Sequence, residues 1–494
     1  MPKSIILSPP PVFFIKSISE QGYTLSTAIA DLIDNSIAAG ATRVEILLDS
    51  HTSPMTMFIS DNGCGMTDDE LTLNMRFPSA DIDMVRSTDD LGRFGLGLKT
   101  ASFSQSRKFT VISRKDEPYF QGRTWDVEYL KDTKDWTLII ENDLEISKVL
   151  ETYQKVKGNF HENDPDFDLK TLVVWNELYK LERLFKKNEI NDELEELRSH
   201  LGLVFHRFIQ SGNLQIRLNN SLIESFEPFP KNEQGVQVVS ENFWRTGDAY
   251  IKFQGIILPK RATAEAKQSH SVWVPAGSTL EELQGIYVYR NERLINYGAW
   301  LRAIPKSIFL QFGRLKIDIS NINDSEFHLN VAKSSLKIPF GLKRAMTEMI
   351  NHVAAQAAKE YRERLASNVI RPVSTPQGLS LVVKEIRASG PSLKINNDFE
   401  LLRRLSNQLS SEQNLLLDSL LNLVENKLNE VWQGDLNSTE IKEDLNQDTK
   451  EKINRIKKYY EESEYSWEEI RALLFDSFGR NQETQLFIDS LNTK

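Results

Sequence analysis

The stretch TLSTAIADLIDNSIAAGA at 24–41 is followed by DNGCGM at 61–66 and GRFGLGLKT at 92–100. Ala28, Ile29, Leu32, Ile33, Ser36 and Ile37 recur every three or four residues, the period of a helix with one apolar stripe, while Asp31, Asp34, Asn35 and Ala38 point elsewhere. Thr24 or Ser26 suits the N-cap, and Gly40 suits the left-handed position past the end. Asp31 and Asn35, at i and i+4, then project side by side. A carboxylate beside a carboxamide can hold a hydrated Mg²⁺ and orient a water, because Mg²⁺ takes oxygen ligands and keeps several waters. Taken alone, the pair reads first as a solvated polar face with a helix cap.

MTMFI at 55–59 predicts a short strand that runs into a turn at Asp61, where Gly63 and Gly65 are free to adopt positive φ. A carboxylate at a strand end can accept a hydrogen bond from an exocyclic amine while the ring lies against the glycines. That geometry suits adenine; by itself the segment also fits an ordinary Asx-turn hairpin. Gly92, Gly95 and Gly97 lead into LGLKTASFSQS, a glycine loop opening a helix, where free N–H groups and the helix dipole converge on a phosphate-sized point. It is neither a Walker loop nor a dinucleotide fingerprint, since no β-α-β unit with a following acidic residue surrounds it. The order of the three pieces is more specific than any one of them.

These residues resemble the N, G1 and G2 boxes of the GHKL ATPases, the group of the gyrase B subunit, the ninety-kilodalton heat-shock chaperones, histidine kinases and MutL. DLIDNSIAAGA is most similar to the MutL and MORC versions. The resemblance implies a Bergerat-type α/β sandwich over 1–205 that binds ATP and Mg²⁺. Asn35 would coordinate the metal, Asp61 would take the adenine amine, and Gly63, Gly65 and Met66 would shape the base pocket. Gly92, Arg93, Phe94, Gly95, Leu96, Gly97, Leu98, Lys99 and Thr100 would surround the triphosphate. Thr171, in KTLVVW, resembles the family's late threonine that works with the aspartate at the base. Two positions depart from the pattern. Asp31 stands where most hydrolytic members have Glu as general base, which shortens the reach by about 1.5 Å, so turnover is expected to be slow. Ala38 replaces a frequent Asp and removes a polar contact.

QGIYVYRNERLINYGAWLRA at 284–303 reads as a strand, a turn at Asn291 and Glu292, a second strand and a helix start, followed by GRLKIDIS and FHLNVAKSSLKI. This resembles the transducer domain of MutL, gyrase B and MORC, with a ribosomal-protein-S5-like α/β fold. The same likeness nominates Lys333 as a second catalytic residue, reaching back to the γ-phosphate; without the upstream motifs it reads as a surface lysine. RFPSADIDMVRSTDDL at 76–91 has little apolar periodicity and much charge, as a mobile lid would, with Arg76 and Arg86 in it.

The chain has 494 residues, 40% hydrophobic and 26% charged, with room for about three domains. No apolar run approaches the ~20 residues of a membrane span, and the start, MPKSIILSPPPVFF, lacks a full secretory signal. A single cysteine, Cys64, excludes an internal disulfide and a cysteine-rich zinc module and points to a reducing cytoplasm. The net charge of −10 argues against a cation-coated protein, yet between 286 and 345 Arg290, Arg293, Arg302, Lys306, Arg314, Lys316, Lys333, Lys337, Lys343 and Arg344 outnumber four acidic residues. That excess either contacts DNA phosphates or is balanced from elsewhere in the fold.

The fold expected is α+β: the ATP-binding domain at 1–205, a transducer-like domain at 206–370, and a helical C-terminal domain at 371–494 after the linker NVIRPVSTPQG. In the tail Leu401, Leu402, Leu405, Leu409, Leu416, Leu420, Leu423 and Val431 recur at roughly helical spacing, as a core or as a surface for a protein effector. The tail holds no histidine, so a His-containing nuclease metal motif is absent. The resemblance implies an ATP-gated homodimeric clamp in a DNA-related process such as repair, restriction or antiviral defence; an ATP-sensing scaffold with little turnover is the alternative.

Overall fold

The computed structural model describes residues 9–20, 22–77, 96–160, 167–184, 187–246, 249–265, 267, 272–275, 277–319, 343–369, 381–387, 390–433, 447–462, 465–478 and 482–492. Gly92, Arg93, Phe94, Gly95, Arg86, Lys333 and Lys337 lie outside them, as does the lid beyond Phe77. The fold is α+β, and the chain divides into two compact units, Met1–Ala357 and Ala358–Lys494.

Why the helix of the first motif forms is plain from its ends. Helix α2 (Leu25–Ala38) follows α1 (Pro11–Ser19) and is capped by Thr24, whose hydroxyl accepts from Thr27 N–H while Thr27 Oγ1 accepts from Thr24 N–H. Gly40, at φ 72°, ends it in the left-handed conformation. The chain then lays down β1 (Arg43–Asp49), β2 (Thr56–Asp61), α3 (Asp68–Met75), α4 (Gly97–Gln105), β3 (Lys108–Ser113), β4 (Gln121–Asp126), α5 (Val127–Thr133), β5 (Ile139–Ile140), α6 (Asp143–Phe160) and β6 (Thr171–Asn176). Helices α7 (Lys187–Val204) and α8 (His206–Gln210) lead to β7 (Gln215–Leu218) and β8 (Ser221–Leu222).

These strands make one eight-stranded sheet in the order β5-β4-β3-β6-β2-β1-β7-β8, antiparallel except for the parallel β1–β7 pair. Its last two strands come from 215–222, beyond α7 and α8. Both faces are covered, and the period-2 alternation of strands sorts the side chains. Val44, Ile46, Met57, Ile59, Val173 and Trp175 pack toward Ala28, Ile29, Leu32 and Ile33 of α2; Leu47, Phe58, Leu172 and Val174 pack toward Ile146, Tyr153 and Val156 of α6.

A second sheet in the same unit has the order β12-β11-β13-β10-β9, from β9 (Gln237–Thr246), β10 (Ala249–Ile257), β11 (Gly285–Arg290), β12 (Arg293–Ala299) and β13 (Gly313–Ile319). Asn291 and Glu292, at φ 46° and 67°, make the expected turn between β11 and β12. The helix start expected near 300 is not formed. Leu301 and Arg302 take left-handed φ values of 48° and 62°, which breaks the chain into turns before β13. The long helix Lys343–Val369 crosses this sheet, where Gly255 of β10 leaves room for Val353 and Gly313 of β13 for Val353 and Ala357.

The second unit is helical as expected, with one addition: a hairpin of Val382–Arg387 and Gly390–Ile395. Asn429, on the helix Ser411–Gln433, holds both the N–H and the carbonyl of Leu393, at 2.8 and 2.7 Å. Ile453, Ile456, Ile470, Leu474 and Ile488 of the last three helices form a separate small core. The leucine stripe is divided: Leu402 is buried, whereas Leu401, Leu405 and Leu420 are exposed, and the chain breaks at Leu409 before Ser410 caps the next helix through Gln413.

Candidate nucleotide site

The site is built where α2, the end of β2 and the start of α4 converge. Asp61 terminates β2 with its carboxylate buried; Oδ2 accepts from Ser36 Oγ and Oδ1 from Gly63 N–H, each at 2.9 Å. Burial pushes the Asp61 carboxyl above its ordinary value, with those two donors pulling the other way. Register places Asp61 directly opposite Thr171 of β6. Thr171 Oγ1 lies 3.0 Å from Ser113 Oγ, which in turn accepts from Met66 N–H at 3.0 Å. The glycines of the turn are steric requirements. A Cβ on Gly63 would sit 2.8 Å from Ala39 Cβ, and one on Gly65, at φ 68°, would sit 1.8 Å from the Arg114 carbonyl oxygen. The turn is thus pressed between the end of α2 and the end of β3.

One turn before Asn35 on α2, Asp31 is 5% exposed, and its Oδ2 accepts from Tyr23 Oη at 2.8 Å. The same oxygen lies 3.8 Å from where a Cβ on Gly97 would stand, so the carboxylate faces the first turn of α4. Burial, with the Asp31 charge beside it, holds the Tyr23 phenol well above its ordinary value, so it remains the donor. Leu96 is the N-cap of α4 and has no side-chain cap bond, and the amides of the first helical turn have no partner within the helix. Thr100 Oγ1 bonds to the Leu96 carbonyl at 3.0 Å, and Leu98 packs on the core. Lys99 does not extend into open space: it is 1% exposed, donates to the Asn74 carbonyl at 2.8 Å, and burial pushes its ammonium down to about 7.

Asn35, one turn beyond Asp31, is exposed at the end of the same helix. No group of three or more His, Cys, Asp or Glu side chains arranged for a metal occurs among the described residues. Asn35 thus offers one exposed carboxamide oxygen, the kind of single protein ligand that a hydrated Mg²⁺ accepts.

Three side chains of the site carry no sign of their role in the sequence. Ser36 was counted in the apolar stripe, but its hydroxyl is turned to Asp61. Tyr23 precedes the helix cap. Asp34, expected to point away from the packed face, is 1% exposed and pairs with Arg293 of β12, Nε to Oδ1 at 2.6 Å. That pairing corrects the basic-face reading. Arg290, Arg293 and Arg314 are buried, Arg314 donates to the Pro228 and Trp273 carbonyls, and Lys316 is 3.4 Å from Asp318. These cations satisfy internal acceptors and are not displayed to phosphates; Arg302, Lys306, Lys343 and Arg344 are exposed.

Residues 23–159 match the family described as histidine kinase-, DNA gyrase B- and HSP90-like ATPase. Over 92 residues the chain is 35% identical to the DNA mismatch repair protein MutL of Chlorobaculum tepidum, an overlap of 18% of this chain and 15% of that protein. Over 112 residues it is 33% identical to MutL of Enterobacter sp. and of Escherichia coli O1:K1 / APEC, 21% of this chain and 18% of each of them. The chain spans less than a fifth of the length of these relatives. No helix among the described residues is long and apolar enough to cross a membrane.

Proposed function

From the premise that the N-terminal domain is a GHKL ATPase domain similar to that of MutL, we propose that this chain binds ATP with Mg²⁺ and hydrolyses it slowly. The observation that carries the reading is the pair of buried carboxylates tied to α2, Asp61 at the strand end bonded to Ser36 of that helix and Asp31 of the same helix facing the start of α4. Asp61 accepts the adenine amine, held in place by Ser36 and Gly63, with Thr171 and Met66 beside it. The amides from Gly97 to Lys99 at the start of α4, with the glycine loop before them, take the phosphates. Mg²⁺, when bound, neutralises phosphate charge, and Asn35 offers it an oxygen. Asp31 polarises the attacking water, and Lys333 senses the γ-phosphate from the second domain.

By analogy with the relatives, ATP binding orders the lid and joins two chains into a closed dimer acting in a DNA-related process in the cytoplasm, with repair, restriction and antiviral defence as the candidate settings. The ATP-binding region would extend past the expected 205 to about 222, because β7 and β8 complete its sheet, and the transducer-like region to about 370. DNA would be met by the exposed cations Arg302, Lys306, Lys343 and Arg344, not by the buried Arg290 or Arg293. The observation favouring the second reading, an ATP-sensing scaffold whose helical tail recruits an effector, is that both oxygens of Asp31 already face donors: Tyr23 on one and the Arg293 guanidinium, at 4.0 Å, on the other.

Steady-state phosphate release by wild type and Asp31→Ala decides between them. Loss of release with retained nucleotide binding in the variant supports hydrolysis; equal silence of both, with nucleotide bound, leaves the scaffold. Sedimentation with a non-hydrolysable ATP analogue tests the clamp, and an unchanged mass removes it.

A further inference from the structure

The turn between β11 and β12 is tied to the helices of the first sheet at two adjacent residues. Glu292 Oε2 lies 3.0 Å from Arg207 Nη1 on α8; the same nitrogen is 2.6 Å from Asp318, and the guanidinium lies 3.6 Å from the Tyr289 ring centroid. Arg293, the next residue, is 6% exposed and reaches α2, with Nε 2.6 Å from Asp34 Oδ1 and Nη2 4.0 Å from Asp31 Oδ1. Its guanidinium also stands 5.7 Å from the Phe205 ring centroid, so it is enclosed on the apolar side as well.

Asp31 and Asp34 are i and i+3 on one helix, two buried carboxylates on neighbouring positions of one face. Two such charges one turn apart repel, and a cation placed against them offsets that repulsion. Arg293 supplies it, in a rigid fork that can hold one carboxylate by Nε while presenting Nη2 to the other. Tyr23 holds the opposite oxygen of Asp31, so the carboxylate is held from two sides, by Tyr23 and by Arg293.

We infer that Arg293 is a positioning residue for hydrolysis: clamped by Asp34, it sets the carboxylate of Asp31 and so makes the β11–β12 hairpin of the second sheet a control on the reaction. The inference rests on the reading of Asp31 as general base. Movement of the hairpin by about 1 Å relative to α2 would pull the 2.6 Å contact apart and displace Asp31, a displacement that can cost roughly a hundredfold in rate. Contact with nucleotide is not needed, so affinity and turnover are expected to separate.

The test uses the full chain, with a non-hydrolysable ATP analogue to measure Kd and ATP to measure kcat. Asp34→Asn/Arg293→Gln removes both charges while keeping a hydrogen-bonding pair of similar size. The expected result is a Kd within about threefold of wild type and a kcat lowered about tenfold or more. Arg293→Lys, which retains the cation, should recover part of the loss. A kcat within about twofold of wild type in the double variant, or kcat and affinity falling together, overturns the inference. If the double variant has no cooperative melt, Arg293→Lys alone reads the same split, and an unchanged kcat there overturns it. A wild type that binds the analogue but releases no phosphate overturns the hydrolysis reading, and this inference with it, before any variant is made.

Discussion

Replacing Asp61 by Ala should abolish the preference for adenine and leave the phosphate contacts intact. Two of the carboxylate's roughly four lone-pair sites are taken by Ser36 and Gly63, and the rest are available to an exocyclic amine. A hydrogen bond to a charged acceptor contributes about 1.5–3 kcal/mol, or roughly 10- to 150-fold in Kd. Inosine triphosphate carries a carbonyl where ATP carries the amine, so acceptor would face acceptor, and the wild-type site should reject it by at least that ratio. In Asp61→Ala the ratio should fall to near unity. The variant also strands the Ser36 hydroxyl and the Gly63 N–H, at about 1–3 kcal/mol each, so stability is followed by thermal melting and affinity is measured well below the transition. Calorimetric titration with both nucleotides, in an Asp31→Ala background to stop turnover, gives the two constants. Persistence of the preference in Asp61→Ala would refute the adenine assignment, as would tight ATP binding by the parent with no preference at all.

Gly65→Ala forces a Cβ into the Arg114 carbonyl at a left-handed backbone position, which alone costs about 1–2 kcal/mol; a lowered urea midpoint and loss of analogue binding are expected. Asp34→Ala leaves the Arg293 cation without its 2.6 Å partner in a buried place, and unfolding titrations should show about 3–5 kcal/mol lost. Glu45→Ala should cost a similar amount, since Glu45 is buried under α6 between Arg43 and Lys157, 2.7 and 3.0 Å away, but should change analogue affinity by less than about threefold. Nucleotide affinity needs the ionised Asp61, whose pKa is raised by burial, so affinity should fall as pH drops through a window above the ordinary carboxylate value. Ser36→Ala, which removes a donor, should move that window to higher pH. The stability term has the opposite sense: the native state holds the Asp61 proton more tightly than the unfolded chain, so this group's contribution to stability declines as pH rises through the same window. Affinity titrations and urea midpoints at several pH values check the two signs.

What the sequence made legible was local. The caps of α2, the stripe of α2, the strand before Asp61 and the left-handed Gly65 each follow from spacing within a dozen residues, and the structure places them accordingly; Gly63 does not take a positive φ and is required for space against Ala39 instead. Ser36 was missed because a serine on an apolar stripe carries no sign of the carboxylate it will meet. Asp34 and Arg293 were misread because each looks solvated in its own segment; 259 residues separate them, and only the docking of β12 against α2 brings the pair together. The same cause removed three arginines from the expected basic face. Lys99 reads as a phosphate ligand from its place after the glycines, yet the burial of α4 turns it to the Asn74 carbonyl.

The eight-stranded sheet ends on β5 and β8, each of two residues. A long bare edge is a template on which another chain can add a strand, the usual first step of sheet aggregation. Here the outermost row of backbone donors and acceptors on either side is two residues long, too short to register a foreign strand. Among the described residues the second sheet lacks this protection, being bordered by β12 and β9 with seven and ten residues. Refolding from denaturant at high concentration should therefore lose material through the second sheet first, with the nucleotide domain as the more soluble partner.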